Sequence, residues 1–115
     1  NKVDNLIATI DLNGQQIDGA TDDVLPMGNL KAKFEAFGWM VLEIENGNDL
    51  ESVLKGMNKA KSLTGNGQPV CVLLNTVMGH GVDFMMHTHA WHGKAPNDEQ
   101  LELGLSQNPE TLGDY

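Results

Sequence analysis

Apolar residues gather in three short runs, with segments of a different period between them. Leu6-Ile7-Ala8-Thr9-Ile10 is continuous and partly β-branched, which predicts a strand buried on both faces of a parallel sheet. Trp39-Met40-Val41-Leu42, completed by Ile44, predicts a second strand ending at the turn Asn46-Gly47-Asn48. Pro69 to Leu74 predicts the third. Between these runs the period lengthens to that of a helix. Leu30, Phe34 and Phe37 share one helical face, with Asn29 as N-cap and Gly38 as the stop. Leu50, Val53, Leu54, Met57 and Ala60 form a longer stripe. Asn48 is its expected cap, Glu51 the expected reciprocal partner, and Lys55, Lys59 and Lys61 lie on the other face. Gly65-Asn66-Gly67 ends that helix. Asn97 caps a last short helix with Gln100 at the reciprocal position, Leu101 and Leu105 on one face, and Gly104 weakening it. The order strand, helix, strand, helix, strand, then C-terminal helix places the chain in the α/β class, with right-handed crossovers and a parallel sheet.

Two segments carry neither period, and each leaves the carboxyl end of a predicted strand. Gly14 to Gly28 reads as a long loop closed near Pro26, and Thr76 to Pro96 as a second that carries all four histidines. Open α/β sheets bind their ligands beyond such strand ends. Asn13 falls there, and its amide oxygen together with a main-chain carbonyl is a hard donor set suited to Mg²⁺ or Ca²⁺. Taken alone, Asn13-Gly14 is equally a simple turn. In the second loop, His87-x-His89-x-x-His92 invites a zinc reading, but no Cys or acidic ligand stands at a common zinc spacing. Cys71, the only cysteine, lies in mid-strand as a small buried hydrophobe, and no Ser occupies a strand-to-helix elbow, so a covalent nucleophile has no support.

At 115 residues the chain is at most one domain and small for an enzyme that encloses a cofactor, so it is expected to be part of a larger assembly. Seven Lys+Arg against sixteen Asp+Glu give a net charge of -9, which argues against nucleic acid and anionic membrane surfaces. An anionic ligand must therefore be met locally, by backbone N–H groups, a histidine or a metal ion. No run approaches the roughly 18 to 20 apolar residues that span a bilayer, and no signal segment opens the sequence, so cytoplasmic residence is the expectation. The chain opens on Asn1 and enters a strand almost at once, as if in the middle of a fold.

Four ordered motifs carry a resemblance that composition does not supply: Asn5-Leu6-Ile7-Ala8-Thr9-Ile10-Asp11-Leu12-Asn13-Gly14-Gln15-Gln16-Ile17-Asp18-Gly19, Phe37-Gly38-Trp39, Thr76-Val77-Met78-Gly79-His80-Gly81-Val82, and Trp91-His92-Gly93-Lys94-Ala95-Pro96-Asn97-Asp98. Over nearly its whole length the chain resembles the second half of the thiamine-diphosphate-binding domain of transketolase, most of all the forms encoded as two separate polypeptides. The resemblance implies a partial cofactor domain over residues 1–105 and a polar tail or linker over 106–115. It implies that Asn13 binds the metal through its side chain and Gln15 through its main-chain carbonyl. Ile17 and Met78 match apolar positions against the thiamine rings. His92 matches the histidine near the diphosphate and reacting centre, where a charge switch close to neutral pH suits phosphate contact and proton transfer. Implied partners are the upstream half of the cofactor domain, a C-terminal pyrimidine-binding subunit in an oligomer, and sugar-phosphate substrates whose two-carbon ketol unit is transferred.

The chain also departs from the family. The usual Lys-Thr after the third strand is Asn75-Thr76, which removes a positive charge, and His87 and His89 inherit no role. The Gly-Asp-Gly half of the cofactor signature and the upstream histidines are not in these residues, so the chain alone is expected to bind thiamine diphosphate poorly or not at all. Alternatives are another thiamine-diphosphate enzyme, of the deoxyxylulose-phosphate synthase or 2-oxoacid dehydrogenase kind, and a noncatalytic half-domain that binds a partner or a metal.

Overall fold

The structure is a computed structural model that describes residues 3–109. Its frame is a three-stranded parallel sheet in the order β1 (Ile7–Leu12), β5 (Val70–Asn75), β4 (Met40–Ile44). Ile7 and Met40 flank Val70 at the start of the ladder, and Asp11 and Ile44 flank Leu74 near its end. The last strand in sequence is therefore central in space. This explains why Val70, Cys71, Val72 and Leu73 are buried while β1 and β4 are mostly half-buried, with Thr9, Asp11 and Glu43 exposed and Ile44 alone buried. The expectation of a first strand covered on both faces is corrected here: Thr9 and Asp11 are exposed, so among the described residues the face of β1 that they share with Ile7 is only partly covered.

Helix α3 (Leu50–Leu63) covers one face, packing Ala60 with Met57 and Leu63 against Val70, Val72 and Ile44. Only the C-terminal part of its apolar stripe is used, and Leu50 and Leu54 remain exposed. Its cap differs from expectation. Asp49, not Asn48, accepts the Ser52 N–H at 2.7 Å, so the helix starts one residue later and Glu51 is no reciprocal partner. A carboxylate is the better cap in electrostatic terms, and the bonds from Ser52 hold its pKa below the usual carboxylate range. Helix α2 (Leu30–Ala36) sits beside β4, capped by Asn29 as predicted; Phe34 meets Trp39 edge-to-face at 5.5 Å, while Phe37 lies past its end, exposed.

The segment after β1 is more ordered than a loop. Its residues form a small hairpin, β2 (Gln15–Gln16) with β3 (Gly19–Ala20), followed by the single helical turn α1 (Thr21–Val24). Two-residue strands carry too little alternation to be seen in a sequence pattern. The segment after β5 holds only a short 3₁₀ turn, His89–Trp91, before α4 (Asp98–Gln107). The capping box on α4 forms as predicted between Asn97 and Gln100. Leu101 and Leu105 are both exposed, and Ser106 and Gln107, expected in the tail, belong to the helix. Residues 110–115 of that tail lie outside the described residues.

Candidate functional site

The carboxyl ends of β1 and β5 adjoin in the ladder, Leu12 beside Asn75, so the segments that leave them start side by side. From β1, Asn13 turns the chain: its Oδ1 accepts the Gln15 N–H at 3.0 Å, and Gly14 takes φ 71°. The Gly14 carbonyl then accepts the N–H of buried Thr21 at 2.9 Å, which closes the hairpin back on its own start. In an extended residue the N–H and C=O leave along the same edge. Because the Gln15 N–H is directed at Asn13, its carbonyl lies on that same side, next to the Asn13 amide oxygen. The Ile17-Asp18 tip follows, and Ile17 is 68% exposed.

The second segment arrives from β5. It brings Met78, half-buried, and later His92, exposed at the end of the 3₁₀ turn. Asn13, Gln15, Ile17, Met78 and His92, the five residues singled out from the sequence, line one concavity of about 400 Å³ together with Gln16 and Asp18. Its walls are mixed: amide and carbonyl oxygens on one side, the apolar Ile17 and Met78 on the other. No Lys or Arg lines it, and Asp18 adds a carboxylate. A diphosphate placed here meets a divalent cation, His92 or the backbone, and no fixed positive side chain. Asn13 and the Gln15 carbonyl are neutral, hard oxygen donors of the kind Mg²⁺ and Ca²⁺ take, and they occupy only part of a coordination shell. The Asn13 oxygen has a second lone pair beyond the one given to Gln15. The donor set thus fits the implied metal, and the apolar wall fits an aromatic cofactor ring.

His80 lines an adjacent hollow of about 460 Å³ with Asp11, Asn48 and Thr76, and neither His87 nor His89 lines either space. Among the described residues no three of His, Cys, Asp or Glu gather as a metal set. His87 has φ 58°, an uncommon backbone state for a residue with a side chain. Asn48, Asp11 and Thr76 escape sequence reasoning as site residues. The Asn48 oxygen accepts the Val77 N–H at 2.7 Å, and the Thr76 hydroxyl donates to the Asp11 carboxylate. Both contacts join residues far apart in sequence, and no local pattern carries them. Farther along, Trp91 donates from its indole to the Phe84 carbonyl at 2.8 Å, stacks edge-on with Phe84 and lies under the Lys94 ammonium.

Comparison with known proteins identifies the family and the fold. The family described as transketolase, thiamine diphosphate binding domain, matches residues 1–108. One subunit of the apulose-4-phosphate transketolase of Actinobacillus succinogenes is 40% identical over 106 residues, 92% of this chain and 37% of its own length. The protein of the same name from Phocaeicola vulgatus is 33% identical over 111 residues, 96% of this chain and 38% of its own. The chain therefore spans less than two fifths of these curated relatives. Among solved structures, the transketolase of Campylobacter jejuni superposes with a TM-score of 0.79 at 31% identity, covering 92% of this chain and 16% of its own. The Pichia stipitis transketolase in complex with sedoheptulose 7-phosphate superposes at 0.81 with 27% identity, over 92% of this chain and 15% of its own. With family and fold in agreement, the chain belongs to the transketolase family and forms part of a thiamine-diphosphate-binding domain.

Proposed function

We propose that this chain is the second half of the cofactor domain of a transketolase subunit, which moves a two-carbon ketol unit between sugar phosphates with thiamine diphosphate and Mg²⁺. The observation that carries the reading is the convergence of Asn13, Gln15, Ile17, Met78 and His92 on one concavity at the carboxyl ends of two adjacent strands. When bound, the cofactor supplies a carbanion for making and breaking carbon–carbon bonds, and the protein's task is binding, orientation and electrostatics. Asn13 through Oδ1 and Gln15 through its carbonyl hold the metal, which offsets the diphosphate charge in a site without Lys or Arg. Ile17 and Met78 fix the plane of the ring and keep water from it. His92 contacts phosphate and moves a proton at a ring nitrogen.

Residues 1–105 supply this half of the domain and 106–115 lead out of it. The upstream half and a pyrimidine-binding subunit complete a cytoplasmic, oligomeric enzyme. The reading is supported by relatives whose names make them single subunits of a transketolase. Calorimetric titration of the complete subunit, with its partner, tests it. Asn13→Ala should weaken Mg²⁺-dependent thiamine diphosphate binding by at least about tenfold, the value of about 1.4 kcal/mol for one lost ligand contact. Its unfolding midpoint should stay close to the parent's. Equal affinity in parent and variant would refute the ligand role.

A further inference from the structure

Two segments make the clamp, and each is anchored two residues before its working side chain. Asp11 precedes Asn13 by two, and Thr76 precedes Met78 by two. The Thr76 hydroxyl donates to the Asp11 carboxylate across 65 positions of sequence. The Thr76 N–H also donates to the Leu12 carbonyl, at 3.2 Å, so the residue reaches β1 through backbone and side chain together. One bond alone would leave the segment free to pivot; the second fixes its rotation.

Packing sets the direction of that hydroxyl. A Cβ placed on Gly47 would come 2.7 Å from the Thr76 methyl carbon and 2.9 Å from the Asn75 carbonyl oxygen, so the β4 to α3 turn lies directly on Thr76. The Gly47 N–H holds that carbonyl at 2.7 Å, and Asn48 holds the next amide, that of Val77, at 2.7 Å. With the methyl seated against Gly47, a β-branched side chain has its rotamer chosen, and the oxygen faces Asp11. A hydroxyl bonded to a carboxylate is stronger than a neutral pair.

We propose that Thr76 is a positioning residue that locks the two halves of the cofactor clamp into register through its hydroxyl bond to Asp11. The proposal rests on the cofactor reading given above. It assigns to Thr76 the distance between the metal oxygens of Asn13 and Gln15 and the apolar contact of Met78. Thr76 does not touch the cofactor.

Three variants of the complete subunit, joined with its partner, test this: Thr76→Val, which keeps the shape, Thr76→Ser, which keeps the hydroxyl, and Asp11→Asn. Thiamine diphosphate is titrated at saturating Mg²⁺ and read by tryptophan fluorescence. Thr76→Val should bind about tenfold more weakly, Asp11→Asn should lie between it and the parent, and Thr76→Ser should return to within about twofold. Apo thermal midpoints should agree within about 2 °C, which separates positioning from stability. Equal cofactor affinity in Thr76→Val and parent overturns the lock. A second arm uses no cofactor: amide hydrogen exchange over residues 76–80 of the apo protein should quicken in Thr76→Val and recover in Thr76→Ser. A parent that binds no thiamine diphosphate overturns the cofactor reading, and the exchange arm then decides the lock alone, unchanged exchange overturning it.

Discussion

The segments that leave β1 and β5 build one concavity by different means. The first organises itself: Asn13 bonds to Gln15, Gly14 to Thr21, and β2 to β3, all within nine residues of Asn13. The second has turns of its own, such as His80 N–H to the Val77 carbonyl and Val82 N–H to the Gly79 carbonyl, and is tied in addition to the rest of the molecule. Asn48 holds its Val77 amide, Asp11 its Thr76 hydroxyl, and the end of α4 its middle: Asn108 donates to the Gly81 carbonyl at 3.0 Å and Gln107 accepts the Asp83 N–H at 2.8 Å. A segment formed by local turns keeps its geometry cheaply. A segment tied to β1, to Asn48 and to the end of α4 draws part of its precision from three distant elements.

The largest test of this contrast compares two glycines with the same φ of 71°. A Cβ on Gly14 would meet nothing within 4 Å, whereas one on Gly79 would lie 2.5 Å from the Met85 carbonyl oxygen. Gly14→Ala should therefore cost about 1 kcal/mol, the penalty of the left-handed conformation alone. Gly79→Ala adds a clash with backbone and should cost about 3 kcal/mol or more. Chemical denaturation of the two variants measures the difference, and equal losses would mean that the second segment is as loosely held as the first.

A smaller effect is expected at the brace. Asn108→Ala removes two donors, to Gly81 and Gly104, both at exposed positions, and should lower stability by about 1 kcal/mol. Exchange should rise over residues 81–85 and stay unchanged over 13–20. Exchange that rises equally in both segments would dissolve the distinction.

The smallest effect belongs to Asp49, which serves neither segment. Its pKa is held below the ordinary carboxylate range by the bonds from Ser52. Stabilisation by an ionised cap is fully present above the unfolded-state pKa of about 4 and is lost as pH falls through the lower folded value. Asp49→Ala should lower the unfolding midpoint slightly at pH 7 and leave it unchanged near pH 2. A difference that persists in acid would assign the effect to something other than the charge.

What the sequence makes legible follows the same division. The Asn97 and Gln100 capping box is readable because both bonds span three residues. Asn48 reads wrongly as a cap because its real partner, Val77, stands 29 positions away. The apolar run of β1 is readable as a strand, while its place at the side of β5 is not, since sheet order depends on contacts that periodicity does not encode. At the site, Asn13 carries a donor logic of its own, and His92 enters a zinc reading of the second loop. Gln15, Ile17 and Met78, and the cofactor role of His92, are reached only through resemblance, and the Asp11 to Thr76 contact, 65 positions long, through neither.

Cys71 offers a different use of the fold. It is the only thiol in the chain, fully buried in the central strand, and burial pushes its pKa up. Only the thiolate reacts with alkylating reagents, so a closed sheet presents them with no target. Each labelling event then marks one excursion in which β5 has parted from its neighbours. A residue with no chemistry of its own is a stopwatch for the opening of the sheet, built in at the strand from which the second segment departs.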